Sequence, residues 1–196
     1  MSIDCWICVF AGSSSGLRDE YTLVAQQLGE EMAKRNYGLV YGGAKIGLMG
    51  EVATAILAKG GKAIGVIPEF LASKEVSHDQ LTKLHVVSTM HERKQKMSEL
   101  ADGFVALPGG LGTLEEMAEI LTWAQLGVHS KPCGLLNVCG YYDALITFLD
   151  HAISEQFMKP KDRNLILAEK TPALLFDQMA AYQPVEHKKW VDSSQT

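Results

Sequence analysis

The residue types that could do chemistry in this 196-residue chain fall in a few short stretches, three of them rich in glycine. They are Gly12-Ser13-Ser14-Ser15-Gly16, the run from Gly42-Gly43 through Lys45 to Gly47-Leu48-Met49-Gly50, and Pro108-Gly109-Gly110-Leu111-Gly112-Thr113. Glycine lets the backbone approach a ligand closely and aim N–H groups at it, and a following helix start adds partial positive charge. Such loops suit a phosphate. Any one of them could be only a tight turn, but three that each follow a strand and precede a helix favour a ligand edge. A fourth stretch is Met90-His91-Glu92-Arg93-Lys94, where Arg93 offers a planar fork for phosphate or carboxylate and Lys94 a point charge. Its alternative is a solvated helix face, with Glu92 and Lys96 paired at i,i+4.

Thr113-Leu114-Glu115-Glu116 opens the helix after the third loop, and Thr-x-x-Glu is also the pattern of a capping box. Capping would account for Thr113 and Glu116 without any chemistry. It would not account for placing an acid beside a phosphate site, where like charges repel. A carboxylate is useful there if the reacting centre becomes positive. Breaking an N-glycosidic bond does this, because the departing base leaves an oxocarbenium-like ribosyl group that a carboxylate can stabilise while orienting water.

Several familiar sites are excluded. No glycine loop supplies the Lys-Ser/Thr of a Walker A motif. The dinucleotide fingerprint fails because Thr113-Leu114-Glu115 follows Gly110-Leu111-Gly112 where a third glycine should come. The phosphate ligand is then a mononucleotide or sugar phosphate rather than NAD or hydrolysed ATP. Gln95 stands where a zinc-binding HExxH needs its second histidine, and the other histidines, His78, His85 and His129 among them, are scattered. Cys5-Trp6-Ile7-Cys8 spells CxxC but runs into a strand, where positions i and i+3 face opposite ways, so these read as core cysteines.

The elements that must position these residues follow an alternating rhythm of short apolar runs and amphipathic stretches. Strands are expected near Ile7–Ala11, Leu39–Tyr41, Ala63–Ile67, Leu84–Val87, Gly103–Leu107, Gly134–Val138 and Leu165–Leu167. Helices are expected at Asp19–Arg35, Leu48–Lys59, Met90–Leu100, Thr113–Leu126, Tyr142–Glu155 and Pro172–Ala181, the last capped by Thr171. Strands such as Phe104-Val105-Ala106-Leu107, with little alternation, suit a sheet covered on both faces. The expectation is a doubly wound, mostly parallel α/β sheet with helices on both faces. Residues 1–183 form one domain and 184–196 a polar tail.

Composition agrees with that class. With 18 Lys+Arg against 23 Asp+Glu the formal charge is −5, which disfavours nucleic acid. A hydrophobic fraction of 47% with 21% charged residues is that of an ordinary globular protein. No apolar run approaches the roughly 18 residues of a membrane span, and the start carries no secretory pattern, so a cytoplasmic location is expected.

In order along the chain, Tyr41-Gly42-Gly43 through Gly47-Leu48-Met49-Gly50, Met90-His91-Glu92-Arg93-Lys94, the PGGxGTxxE run from Pro108 to Glu116, and Thr122-Trp123-Ala124-Gln125 resemble the LONELY GUY family of cytokinin riboside 5′-monophosphate phosphoribohydrolases. The likeness runs from about Cys5 to the last helix. It implies a Rossmann-like fold, a homodimer, no cofactor, and hydrolysis of nucleoside 5′-monophosphates to free base and ribose 5-phosphate. By motif, Arg93 and Glu116 match the catalytic pair. Lys94, the stretch Gly110, Leu111, Gly112, Thr113, Leu114 and Glu115, and Thr122 match substrate contacts, with Glu75 where the family has an acidic one. Gly12, Ser13, Gly43, Gly47 and Met49 join them from the first two loops. The sequence around Glu75, Lys74-Glu75-Val76-Ser77-His78, departs from the plant pattern and resembles bacterial members more, leaving AMP and N6-prenylated AMP both open as substrates. Two other readings stand beside this one: a nucleotide-binding module without turnover, and the pyridoxal phosphate chemistry suggested by the family's old label "lysine decarboxylase", for which His129-Ser130-Lys131 offers a lysine.

Overall fold

A computed structural model describes residues 3–72 and 80–185. Seven strands form one sheet: β1 (Cys5–Phe10), β2 (Tyr37–Tyr41), β3 (Ala63–Pro68), β4 (Lys83–Val87), β5 (Gly103–Ala106), β6 (Cys133–Leu136) and β7 (Ile166–Glu169). The helices are α1 (Asp19–Lys34), α2 (Gly47–Ala58), α3 (Glu69–Ala72), α4 (Met90–Leu100), α5 (Leu111–Gln125), α6 (Asp143–Ser154) and α7 (Pro172–Ala180). The strand order is β4-β3-β2-β1-β5-β6-β7, and every pairing is parallel rather than most of them.

The sheet alternates its side chains between two cores. Ile7, Val9 and Leu39 face a cluster with Leu28, Met32, Val52 and Ile56 of α1 and α2 and Phe176 of α7. Cys8, Phe10 and Phe104 face the opposite cluster with Met97 of α4, Met117 and Ile120 of α5 and partly buried Leu145 and Leu149 of α6. Because both faces are covered, the central strands must be apolar at every position, and β3 and β5 are buried throughout. Each such side chain contributes on the order of 2 kcal/mol by leaving water. Cys5 and Cys8 belong to opposite cores, and burial raises the Cys5 thiol to about 11. Neither is poised for redox work.

Differences from expectation lie where side-chain periodicity is weakest. Val138 ends no strand but begins a 3-10 turn, Val138–Gly140, and Leu165 closes a second one, Pro160–Leu165. The short α3 was not anticipated. Thr171 does occupy the N-cap of α7, with Pro172 first in the helix, but its side chain makes no capping bond. Glu75, His78 and most of the expected tail lie outside the described residues.

Candidate active site

Strand order reverses between β1 and β5, so the chain turns away on each side and leaves a crevice beyond their carboxyl ends, where open α/β sheets bind ligands. The first and third glycine loops meet there. The Gly12 N–H donates to the Pro108 carbonyl at 3.0 Å, tying one loop to the other, and the Leu48 N–H donates to the Gly12 carbonyl at 3.0 Å, bringing in the start of α2. Together Gly12 to Gly16, Tyr21, Leu48, Pro108 to Gly110 and Tyr141 line a cavity of about 320 Å³. Gly47, in the left-handed region at φ +57°, packs directly on the Ser13 backbone.

The third loop runs into α5, whose N-cap is Gly110 and whose first residue is Leu111. This removes the capping-box alternative at Thr113 and Glu116. Thr113 is the third residue of the helix, buried with its hydroxyl against Gly109, and Glu116 is the sixth, too deep to cap anything. Leu114 is the first residue whose N–H bonds back, to Gly110. The N–H groups before it have no helical acceptor, and no side chain caps them. The same Thr-x-x-Glu pattern does build a cap at α4. There Thr89 Oγ1 accepts from the Glu92 N–H at 3.1 Å and the Glu92 carboxylate from the Ser88 N–H at 2.7 Å. Glu92 is therefore a capping residue, and Lys96 pairs with Glu99 at 3.1 Å instead. The solvated-face alternative for α4 fails at Arg93 and Lys94 too.

Arg93, in the first turn of α4, reaches across to Glu116 of α5, Nη2 to Oε1 at 3.8 Å, with side chains only 11% and 12% exposed. Its guanidinium lies against Gly42 so closely that a Cβ there would overlap Nη2, with Met49 Sδ 3.4 Å from the same point. The Arg93 Nε is buried without a hydrogen-bond partner. Burial raises the Glu116 pKa, and Arg93 offsets this only in part, with Glu115 and Glu119 adding repulsion. The pair is a buried acid held near an underused guanidinium.

The remaining expected contacts divide. Lys94 is 8% exposed and paired with Glu115 at 2.5 Å and Glu119 at 3.1 Å on the outer side of α4 and α5. Burial disfavours its charge, yet the two carboxylates prevail and raise its pKa. Leu111 and Gly112 are exposed at the loop, whereas Gly43, at φ +83°, is buried with the Gly65 Cα and Leu84 nearest to it. Leu114 and Thr122 line a separate apolar cavity of about 200 Å³ between α5 and α6, and the Thr122 hydroxyl donates to the Ala118 carbonyl at 2.7 Å. Among the described residues no group of His, Cys, Asp and Glu is placed to hold a metal ion, and no helix is long and apolar enough to cross a membrane. Sequence reasoning missed Tyr21 and Tyr141, which wall the loop cavity, because their positions carry no glycine or charge signal.

The chain is similar to known proteins in sequence and in fold. A family model described as "Possible lysine decarboxylase" matches residues 49–179. A probable cytokinin riboside 5′-monophosphate phosphoribohydrolase of Oryza sativa subsp. japonica is 47% identical over 96% of this chain and 75% of its own length. A cytokinin riboside 5′-monophosphate phosphoribohydrolase of Arabidopsis thaliana is 48% identical over 91% of this chain and 82% of its own. Among solved structures, a molybdenum cofactor binding protein of Rippkaea orientalis superposes with a TM-score of 0.68 at 23% identity, covering 90% of this chain and 96% of that one, a likeness of fold alone. With relatives this similar over nearly its whole length, the chain belongs to the LONELY GUY family of phosphoribohydrolases, whose model still carries the decarboxylase description.

Proposed function

We propose that this protein hydrolyses the N-glycosidic bond of adenosine 5′-monophosphates, N6-modified ones included, to free base and ribose 5-phosphate. The observation that carries the reading is the buried Arg93–Glu116 pair set one helical turn behind an uncapped helix start at the sheet's switch point. The 5′-phosphate lies against the N–H groups of Gly110, Leu111, Gly112 and Thr113, where backbone donors and helix dipole favour an anion. Glu116 then faces the ribose. Its ionised carboxylate stabilises positive charge developing at C1′ as the base departs and orients the water that attacks there. Arg93 orients Glu116 and opposes in part the burial that favours its protonated form. Residues 1–183 act as one catalytic domain with no cofactor, in the cytoplasm.

A homodimer belongs to the same proposal. Leu111, Leu114, Phe148 and Phe157 are exposed apolar side chains on and beyond α5 and α6, the first of them 86% exposed. Their burial against a second copy would remove this area from water. The decarboxylase reading has less support. Lys131 precedes β6, at the amino end of the sheet and opposite the glycine loops, and its ammonium donates to the Ser98 carbonyl at 2.8 Å.

The test is chromatography of products from AMP, N6-isopentenyl-AMP, GMP and CMP, beside a Glu116→Gln control. Free base and ribose 5-phosphate, lost in the control, are expected. Nucleotide bound without release of any base would leave a binding module in place of an enzyme.

A further inference from the structure

Three successive carbonyls at the root of the phosphate loop each receive a donor from elsewhere in the chain. The Leu107 carbonyl accepts from the Tyr142 hydroxyl at 2.6 Å, the Pro108 carbonyl from the Gly12 N–H at 3.0 Å, and the Gly109 carbonyl from the Tyr141 hydroxyl at 2.6 Å. In a planar trans peptide the carbonyl and the following N–H point in opposite directions. Holding the carbonyls of Pro108 and Gly109 therefore fixes where the N–H groups of Gly109 and Gly110 point, and these lead directly into the open start of α5.

The two tyrosines are adjacent in sequence yet reach different carbonyls because the backbone before them is left-handed at Cys139 and Gly140, with φ of 52° and 72°. Asn137 locks that turn: its side-chain oxygen accepts from the Tyr142 N–H at 2.7 Å and its amide donates to Asp143 at 2.7 Å. Tyr141 is itself gripped edge-on, by Tyr21 of α1 at 5.8 Å and by Tyr142 at 5.1 Å between ring centroids.

We propose that Tyr141 is a positioning residue for the phosphate of the substrate, acting through the Gly109 carbonyl it holds and so through the Gly110 N–H, while Tyr142 anchors the Leu107 carbonyl, after which Pro108 has no N–H to aim. This rests on the function proposed above. The test compares Tyr141→Phe, which removes one hydroxyl from a side chain 43% exposed and leaves the core intact, with the unaltered protein. Two readouts are used: kcat and KM for AMP, and titration calorimetry with inorganic phosphate and, separately, with adenine. Losing one loop-positioning hydrogen bond is expected to raise KM and the phosphate Kd together by about fivefold to tenfold, with kcat within about twofold and adenine binding unchanged. Tyr142→Phe should lower Tm because its hydroxyl is buried, and should move KM and the phosphate Kd less than Tyr141→Phe does, because the peptide after Leu107 carries no N–H.

Unchanged phosphate affinity and KM in Tyr141→Phe would overturn the proposal, as would equal losses for phosphate and adenine, which would signal general loosening. Failure of the unaltered protein to bind phosphate would remove it together with the anion site. If that protein binds phosphate but releases no base, while Tyr141→Phe still weakens phosphate, the hydrolase reading falls and the positioning role of Tyr141 stands.

Discussion

Replacing Gly112 by alanine separates what the fold needs from what a ligand needs. Gly112 is the second residue of α5, and a Cβ built on it meets nothing within 4 Å. Alanine there is compatible with the helix and should stabilise it by up to about 1 kcal/mol, or roughly 2–4 °C in Tm for a chain of this size. With phosphate at the proposed place, the same methyl would occupy space that one of its oxygens must enter to reach the first-turn N–H groups. Displacing two charge-assisted hydrogen bonds at about 1.5 kcal/mol each removes on the order of 3 kcal/mol, about 100-fold in kcat/KM. Gly109→Ala should behave in the opposite way. Its Cβ would overlap Thr113 Oγ1 and stand 2.7 Å from Thr113 Cβ and 2.9 Å from the Gly12 nitrogen, backbone that cannot yield, so stability falls. Steady-state kinetics with AMP and scanning calorimetry on the two variants decide the matter. A Gly112→Ala protein with unaltered kcat/KM would refute the placement of phosphate at this loop.

Glu116→Gln should lower kcat by about 100- to 1,000-fold and leave nucleotide affinity nearly intact, since the lost charge matters mainly in the transition state; comparable turnover would reduce Glu116 to a structural role. The pH dependence of stability has a defined sign. Burial raises Glu116 above its ordinary 4.5, so the folded state keeps a proton the unfolded chain has released, and stability falls as pH rises from 4.5 through the folded value. Glu116→Gln lacks that loss, so its Tm relative to the unaltered protein should climb as pH rises from 4.5 through the folded value, and parallel Tm curves would contradict this. Gly42→Ala should fold, because the atom it meets is the tip of the Arg93 side chain, but by pushing Arg93 aside it should lower kcat about tenfold; crystallography of the variant with Arg93 unmoved would remove the explanation. Light scattering should give twice the 21.4 kDa chain mass, and Leu114→Glu should shift it toward one.

Much of this was legible in the sequence because apolar periodicity is a local property. All seven strands and the six longer helices fall where the runs and stripes put them, and the glycine loops lie on one edge because each follows a parallel strand. What was not legible depends on where a helix begins to the nearest turn. The same Thr-x-x-Glu pattern occurs at Thr89 and at Thr113, and only the first is a cap, because Gly110 starts α5 three residues ahead of Thr113. Lys94 reads as a free cation until Glu119, 25 positions away, is brought beside it. The hydroxyls of Tyr141 and Tyr142 were invisible for a like reason: their partners lie 32 and 35 positions earlier and are reached only through a left-handed turn.

The single backbone bond from Gly12 to Pro108 has a kinetic consequence. It joins the two loops across the crevice, and both loops spring from central strands paired along their length, Phe10 beside Ala106. The cradle is held by the chain's own bonds and needs no nucleotide to assemble it. Association should then be a one-step encounter, its observed rate rising linearly with nucleotide concentration without levelling off at a slow rearrangement. Discrimination among bases should correspondingly reside in how fast each ligand leaves.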